Sequence, residues 1–130
     1  MHTSARLYIT VILSILATFA IAADGDFQRN VNKAQANGRT QAGATYDATL
    51  GKMLQNNAKF ESGMTDCLTK NPGTQSVRGY FHFISATKYQ VVLEPQNDFS
   101  ACLANALEGL NLPEPPSIPY FNSFSFSTVP

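Results

Sequence analysis

This chain has no excess of charge of either sign and only two histidines. The first shortage argues against binding to nucleic acid, and the second argues against catalysis or metal binding by histidine. Of 130 residues, nine are Lys or Arg and nine are Asp or Glu. No positive excess is therefore available for nucleic acid or for an anionic membrane surface. The two histidines, His2 and His82, have no Gly-x-Ser-x-Gly elbow or phosphate-cradling glycine loop beside them, and the carboxylates are scattered. We expect neither an enzyme nor a metal or cofactor site.

The first 22 residues have the layout of a secretory signal peptide. Arg6 supplies the positive start, residues 7–19 the apolar core and residues 20–22 the small-residue cleavage site. This apolar run is shorter than the about 20 residues of a membrane span, although an uncleaved anchor is the alternative. Cleavage near Ala22 predicts a periplasmic or secreted protein with one more acidic residue than basic.

Cysteine is also scarce, with only Cys67 and Cys102 in the chain. An even pair in an exported protein predicts one disulfide, because the compartment is oxidising. Two buried free thiols are the alternative. A bridge that closes about 35 residues stabilises a fold by about 3–4 kcal/mol in the chain-entropy model.

Apolar spacing predicts two amphipathic helices. The first covers residues 45–68, and only Asn57 interrupts its stripe. The second covers residues 98–110, and Asn97 is placed to cap it. Each stripe contains one cysteine, which suits the pair to meet across a helix–helix contact. Residues 23–44 contain few large apolar side chains and predict a flexible leader, with a short helix over residues 26–36 as the alternative.

Alternation of apolar and polar residues predicts three strands, over residues 77–84, 89–94 and 121–128. Val77, Gly79, Phe81 and Phe83 share one face of the first strand, and Arg78, Tyr80, His82 and Ile84 the other. In the last strand, Phe124 and Phe126 point inward, and Ser123, Ser125 and Ser127 point outward. Four prolines between residues 113 and 119 predict an extended connector, with a ligand motif for a partner domain as the alternative.

These elements predict an α+β domain over residues 45–130, in the order α-β-β-α-β. A right-handed helical crossover brings the last strand beside the first. Every pairing is then antiparallel, the sheet order is 2-1-3, and both helices pack on one face of the three-stranded sheet.

This pattern resembles the C-terminal domain of TonB- and TolA-type periplasmic proteins. The residues that carry the resemblance lie in the two helices, the first and last strands and the connector: 60–67, 77–83, 99–102, 112–115 and 124–126. A cysteine in each helix recurs in TonB-like domains of gliding-motility and related proteins. The resemblance implies this fold, a periplasmic location and an edge strand able to pair with a peptide. The chain lacks the long proline-rich spacer of a TonB transducer, so energy transduction is not implied.

The partner we expect is therefore a protein or peptide, with contact to a membrane only through that partner. The candidate partner edge consists of Asn122, Ser123, Phe124, Ser125, Phe126 and Ser127. A candidate surface patch, with an ordinary solvent face as its alternative, consists of Arg78, Tyr80, His82, Ile84 and Val92. The chain is expected to be a monomer or a strand-exchanged dimer.

Two other functions remain open. A secreted inhibitor or immunity-type protein would act through residues 85–88 or through the proline connector. A small hydrolase working through His82 is the third class.

Overall fold

The computed structural model describes residues 25–128 of the chain. The predicted signal peptide lies outside the described residues. By its internal contacts the chain divides into two compact units, one ending at Asn30 and the other beginning at Val31. Residues 25–30 are helical, and Arg29 forms an ion pair with Asp26 one turn before it. Within the described part of the chain, no helix has the length and apolar character needed to cross a membrane.

Four helices and three strands follow one another in the described residues. The helices are α1 (25–38), α2 (Gln41–Gln55), α3 (Ala58–Lys70) and α4 (Asp98–Leu107). The strands are β1 (Ser76–Phe83), β2 (Tyr89–Glu94) and β3 (Tyr120–Ser127).

The stretch 23–44, predicted to be a flexible leader, is helical over most of its described length. Val31 and Ala34 of α1 are buried, and the Thr40 side chain caps α2 by accepting from the Gly43 N–H at 3.0 Å. A Cβ on Gly43 would lie 1.9 Å from the Asn37 carbonyl oxygen. Small residues therefore let α1 and α2 approach closely, a form of burial that a count of large apolar side chains overlooks.

The single helix predicted over residues 45–68 is wrong, because the chain breaks between α2 and α3. Asn57 is the N-cap of α3, and its side chain accepts from the Phe60 N–H at 2.9 Å. The Asn56 N–H closes α2 on the Lys52 carbonyl at 3.1 Å. Asparagine side chains compete with the helical backbone in this way, so the apolar stripe continues through a corner.

The predicted α+β fold and the sheet order are confirmed. The sheet runs β2-β1-β3, and both pairings are antiparallel. Tyr46 of α2 packs edge-on against Phe83 at 5.9 Å, and Phe99 of α4 stacks on Phe126 at 5.9 Å. Helices α2 and α4 therefore lie on the face that carries the strand phenylalanines.

The second predicted helix begins where expected and ends three residues early. Asn97 and Ser100 form a reciprocal capping box, with hydrogen bonds of 2.8 Å in both directions. The helix stops at Leu107, and Gly109 follows with a φ of 70°. A left-handed glycine just after a helix is a common C-terminal stop.

The predicted disulfide is confirmed. It joins Cys67 of α3 to Cys102 of α4, whose Cα atoms are 5.6 Å apart. Cys67 is 1% exposed. Next to the bridge, a Cβ on Gly63 would lie 2.9 Å from the Ala106 Cβ. The two helices therefore approach at a pair of small residues and are linked covalently.

Candidate functional site

Strand β3 is an edge of the sheet, because β1 is its only neighbour among the described strands. The Thr128 N–H donates to the Gln75 carbonyl at 2.9 Å, which identifies these two as a hydrogen-bonded pair. Hydrogen-bonded and non-hydrogen-bonded pairs alternate in an antiparallel ladder. By the register, Phe124 pairs with Gly79 through its backbone, and Ser125, opposite Arg78, does not.

The same alternation fixes the direction of every backbone group on β3. The residues whose N–H and C=O groups point away from β1 are Phe121, Ser123, Ser125 and Ser127. Among the described residues, none donates to or accepts from the outward backbone of the three serines. The open edge is therefore Ser123–Ser127, which we call the serine edge.

Phe121 is the first residue of β3 whose backbone groups point away from β1, and its carbonyl already has a hydrogen-bond partner. The Asn37 side-chain amide donates to the Phe121 carbonyl at 3.0 Å. This contact agrees with the outward direction derived for Phe121. The Lys33 ammonium lies 5.5 Å from the centre of the Phe121 ring, a cation–π contact. The end of α1 therefore covers the start of the strand and leaves the serine edge open.

The two sides of β3 differ sharply in chemistry. On the helix-covered side, Phe124 and Phe126 are half-buried, and Phe124 lies 4.9 Å from the Phe81 ring. On the other side Ser125 and Ser127 are exposed. The predicted inward position of Phe124 and Phe126 and the predicted outward position of Ser125 and Ser127 are therefore confirmed.

A polar cluster, buried at Tyr120 and Asn122 and exposed at Asp47, joins the start of β3 to α2. The Asn122 amide donates to the Asp47 carboxylate, and both Asn122 and Tyr120 are buried. Partial burial raises the pKa of Asp47, and the hydrogen bond from Asn122 opposes that rise. Burial, followed by the nearby Asp47 charge, raises the pKa of Tyr120. The Tyr120 hydroxyl has no hydrogen-bond partner among the described residues.

The five residues of the predicted surface patch do not form one exposed surface. Tyr80 is 5% exposed, which corrects its placement in a solvent-facing patch. His82 stacks on Phe121 at 4.3 Å. Val92 is half-buried, and Ile84 is 49% exposed. Phe121 lies on this face and packs against both Tyr80 and His82.

The remaining member of the patch, Arg78, lies at the other end of this face. Its guanidinium donates to the Glu94 carboxylate at 3.1 Å, and both side chains are about half exposed. The pair joins β1 to β2 and leaves their shared surface close to neutral. Exposed pairs of this kind contribute little to stability, about 0–1 kcal/mol.

Two large apolar side chains are exposed in the described chain, and both lie at one end of the sheet. Ile84 follows β1, and Ile118, 46% exposed, precedes β3. Phe83 is paired with Tyr120, so the antiparallel register brings the two isoleucines to neighbouring chain ends. This apolar end adjoins both segments considered for an inhibitor, residues 85–88 and the proline connector.

The side chains that could ligate a metal ion are scattered in the described residues. Between residues 25 and 128, no three His, Cys, Asp or Glu side chains are grouped as metal ligands would be. Both cysteines are in the disulfide. The assignment as a non-enzyme stays a prediction.

No family model, curated protein or solved structure matches this chain. The resemblance to TonB- and TolA-type domains therefore stays a prediction from the sequence. Sequence reasoning missed Asn37 and Lys33, because it placed both in the leader, and it missed the contact of Asp47 with Asn122. Nothing in the local spacing of these residues indicates contacts with β3.

Proposed function

We propose that this chain is an exported protein-interaction module that binds an extended segment as an added strand along β3. In this proposal it works in the periplasm, in the manner of TonB- and TolA-type domains. The observation that carries the proposal is the serine edge, an outer row of backbone donors and acceptors that lacks partners among the described residues. Unpaired strand edges bind extended chains through main-chain hydrogen bonds.

The disulfide supports the exported location, because such bridges persist in oxidising compartments. The rigid core behind β3 supports the binding mode. Phe81, Phe99 and Leu103 are almost fully buried beneath the sheet, so the edge is held in one conformation before a partner arrives. Preorganisation of this kind lowers the entropic cost of binding.

Substitution of Ser125 tests the proposal. Ser125→Pro removes an outward N–H and adds a ring at the edge, while the ladder to β1 loses no hydrogen bond. Ser125→Ala keeps the N–H and is the matched control. The full chain serves as bait in the cells that make it, and captured proteins are quantified by mass spectrometry. We expect Ser125→Ala to capture the same partner as the unmodified chain and Ser125→Pro to lose it. Equal capture by both variants contradicts strand addition.

The second candidate function is an inhibitor or immunity-type protein, and the pair of exposed isoleucines favours it. An apolar end of two neighbouring loops suits insertion into a pocket of a target. Replacing both Ile84 and Ile118 by Ser tests this candidate. Loss of capture in that variant, together with full capture by Ser125→Pro, would support the inhibitor. The reverse pattern supports the serine edge.

A further inference from the structure

We infer that the segment bound at the serine edge is an uncharged peptide in which apolar residues alternate with small ones, and that Asn37 determines where this segment ends. The inference rests on the proposed function and specifies its partner. It combines the backbone groups on the edge, the side chains on its two sides and the charges around it.

The backbone sets the length of the bound segment. Ser123, Ser125 and Ser127 each present one outward N–H and one outward C=O. A strand of about five residues is long enough to pair with all three. The next outward acceptor, the Phe121 carbonyl, already accepts from Asn37 at 3.0 Å. Pairing therefore stops after Ser123 on that side.

The side chains set the alternation. Phe124 and Phe126 are only half-buried, so each keeps apolar surface beside the strand edge. Side chains of an added strand lie next to them at every second position, and an apolar side chain there removes that surface from water. At the intervening positions the neighbours are serines, which favour Ser or Thr through cross-strand contacts. Segments with this alternation match the edge, and segments with their apolar residues in a block do not.

The charges exclude an electrostatic mode of recognition. Residues 115–130 contain no Asp, Glu, Lys, Arg or His. The nearest charged side chains on the serine side, Arg78 and Glu94, neutralise each other, and Lys33 is directed onto the Phe121 ring. An uncharged segment binds such an edge without dependence on salt, because no ion pair is there to be screened.

Two end-capped, fluorescently labelled probe peptides of identical composition test the alternation. One alternates Leu and Ser over five residues, and the other has its Leu residues in one block. We expect the full-length protein to bind the alternating peptide at least about tenfold more tightly, with the same affinity at low and high sodium chloride. Equal affinity for both peptides overturns the alternation, and affinity that falls with salt overturns the uncharged mode.

Substitution of Asn37 tests whether this residue limits the length of the bound segment. A residue that only stabilised the fold would not change the preference for one peptide length. A seven-residue alternating peptide reaches the Phe121 carbonyl, whereas the five-residue peptide does not. We expect the two lengths to bind the unmodified protein equally. In Asn37→Ala the longer peptide should bind about fivefold more tightly than the shorter, the effect of one added hydrogen bond. Equal affinities in Asn37→Ala overturn the assigned limit, and circular dichroism shows whether the variant is folded.

The outcomes separate this inference from the proposed function. If neither probe binds while the partner captured from cells is still lost in Ser125→Pro, the peptide pattern is wrong and strand addition stands. If the alternating probe binds Ser125→Pro as tightly as Ser125→Ala, strand addition itself is wrong, and this inference is wrong with it.

Discussion

At the scale of single residues, three tyrosines of the core differ in what their hydroxyl groups contact. The Tyr46 hydroxyl donates to the Pro113 carbonyl at 2.9 Å. The Tyr89 hydroxyl donates to the Leu107 carbonyl at 2.6 Å and accepts from the Leu110 N–H at 2.9 Å. Tyr120 has no such partner in the described chain. Burial raises the pKa of all three phenols, so each hydroxyl stays protonated at neutral pH.

Removing each hydroxyl should therefore have a different effect on stability. Tyr89→Phe leaves a carbonyl and an N–H without their partner and should lower the free energy of unfolding by about 1–3 kcal/mol. Tyr120→Phe removes a buried group that has no described partner and should leave this free energy unchanged or raise it. Urea unfolding measures both. A loss in Tyr120→Phe as large as in Tyr89→Phe would show that the Tyr120 hydroxyl is hydrogen-bonded.

Asp47 makes a small part of the stability depend on pH. Partial burial raises the pKa of its carboxyl, so the folded state holds the proton more tightly than the unfolded state. This contribution is complete below the unfolded pKa of about 4 and is lost as the pH rises through the folded pKa. The difference in unfolding free energy between the unmodified chain and Asp47→Asn should therefore fall as the pH rises from below the unfolded pKa of about 4 to neutral. A difference that grows over this range would mean that the hydrogen bond from Asn122 outweighs burial.

At the scale of elements, two helical glycines lower the intrinsic stability of their helices equally but differ in the space around them. A Cβ on Gly51 in α2 would meet no atom within 4 Å, whereas one on Gly63 in α3 would press on Ala106 of α4. Gly51→Ala should raise the free energy of unfolding by about 0.5–1 kcal/mol. Gly63→Ala should lower it, because the two helices must separate around their disulfide. Thermal unfolding of both variants checks this, and equal gains would show that the contact between α3 and α4 is loose.

The periodicity of apolar residues predicted most of the helices and strands, but it did not predict the break between α2 and α3. Alternation located all three strands to within about one residue, because successive side chains of a strand point to opposite faces, even though Tyr80 on the second face of β1 is buried. The same periodic signal resumes after Asn57, since a capped corner preserves the apolar stripe on both sides of it. The helix over residues 25–38 was only an alternative to a flexible leader, because this stretch contains few large apolar side chains.

Prediction of the candidate site divides in the same way. The inward phenylalanines and outward serines of β3 follow from period-two spacing, and its place at the sheet edge follows from the crossover rule. The cover that α1 places on Phe121 depends on contacts 84 residues apart in sequence, which no local pattern encodes. The contact of Tyr80 with Phe121 likewise joins two strands that are distant in sequence, and no local pattern predicts it.

At the scale of the whole molecule, one disulfide supports a modest core. The bridge spans 35 residues and connects α3 to α4. Replacing both cysteines by Ala should lower the free energy of unfolding by about 3–4 kcal/mol, measured in urea. Addition of a reductant should destabilise the unmodified chain by a similar amount and leave the variant unaffected. A reductant effect of equal size on the variant would contradict this account.

The openness of the serine edge governs the function proposed for the whole molecule, and amide hydrogen exchange followed by NMR measures it residue by residue. In the free protein, the N–H groups of Asn122, Phe124 and Phe126 should exchange slowly, because they bond to β1. Those of Ser123 and Ser125 should exchange rapidly, and they should become protected only when an extended segment binds. Slow exchange of the two serine amides in the free protein, or no added protection in the complex, would contradict strand addition at β3.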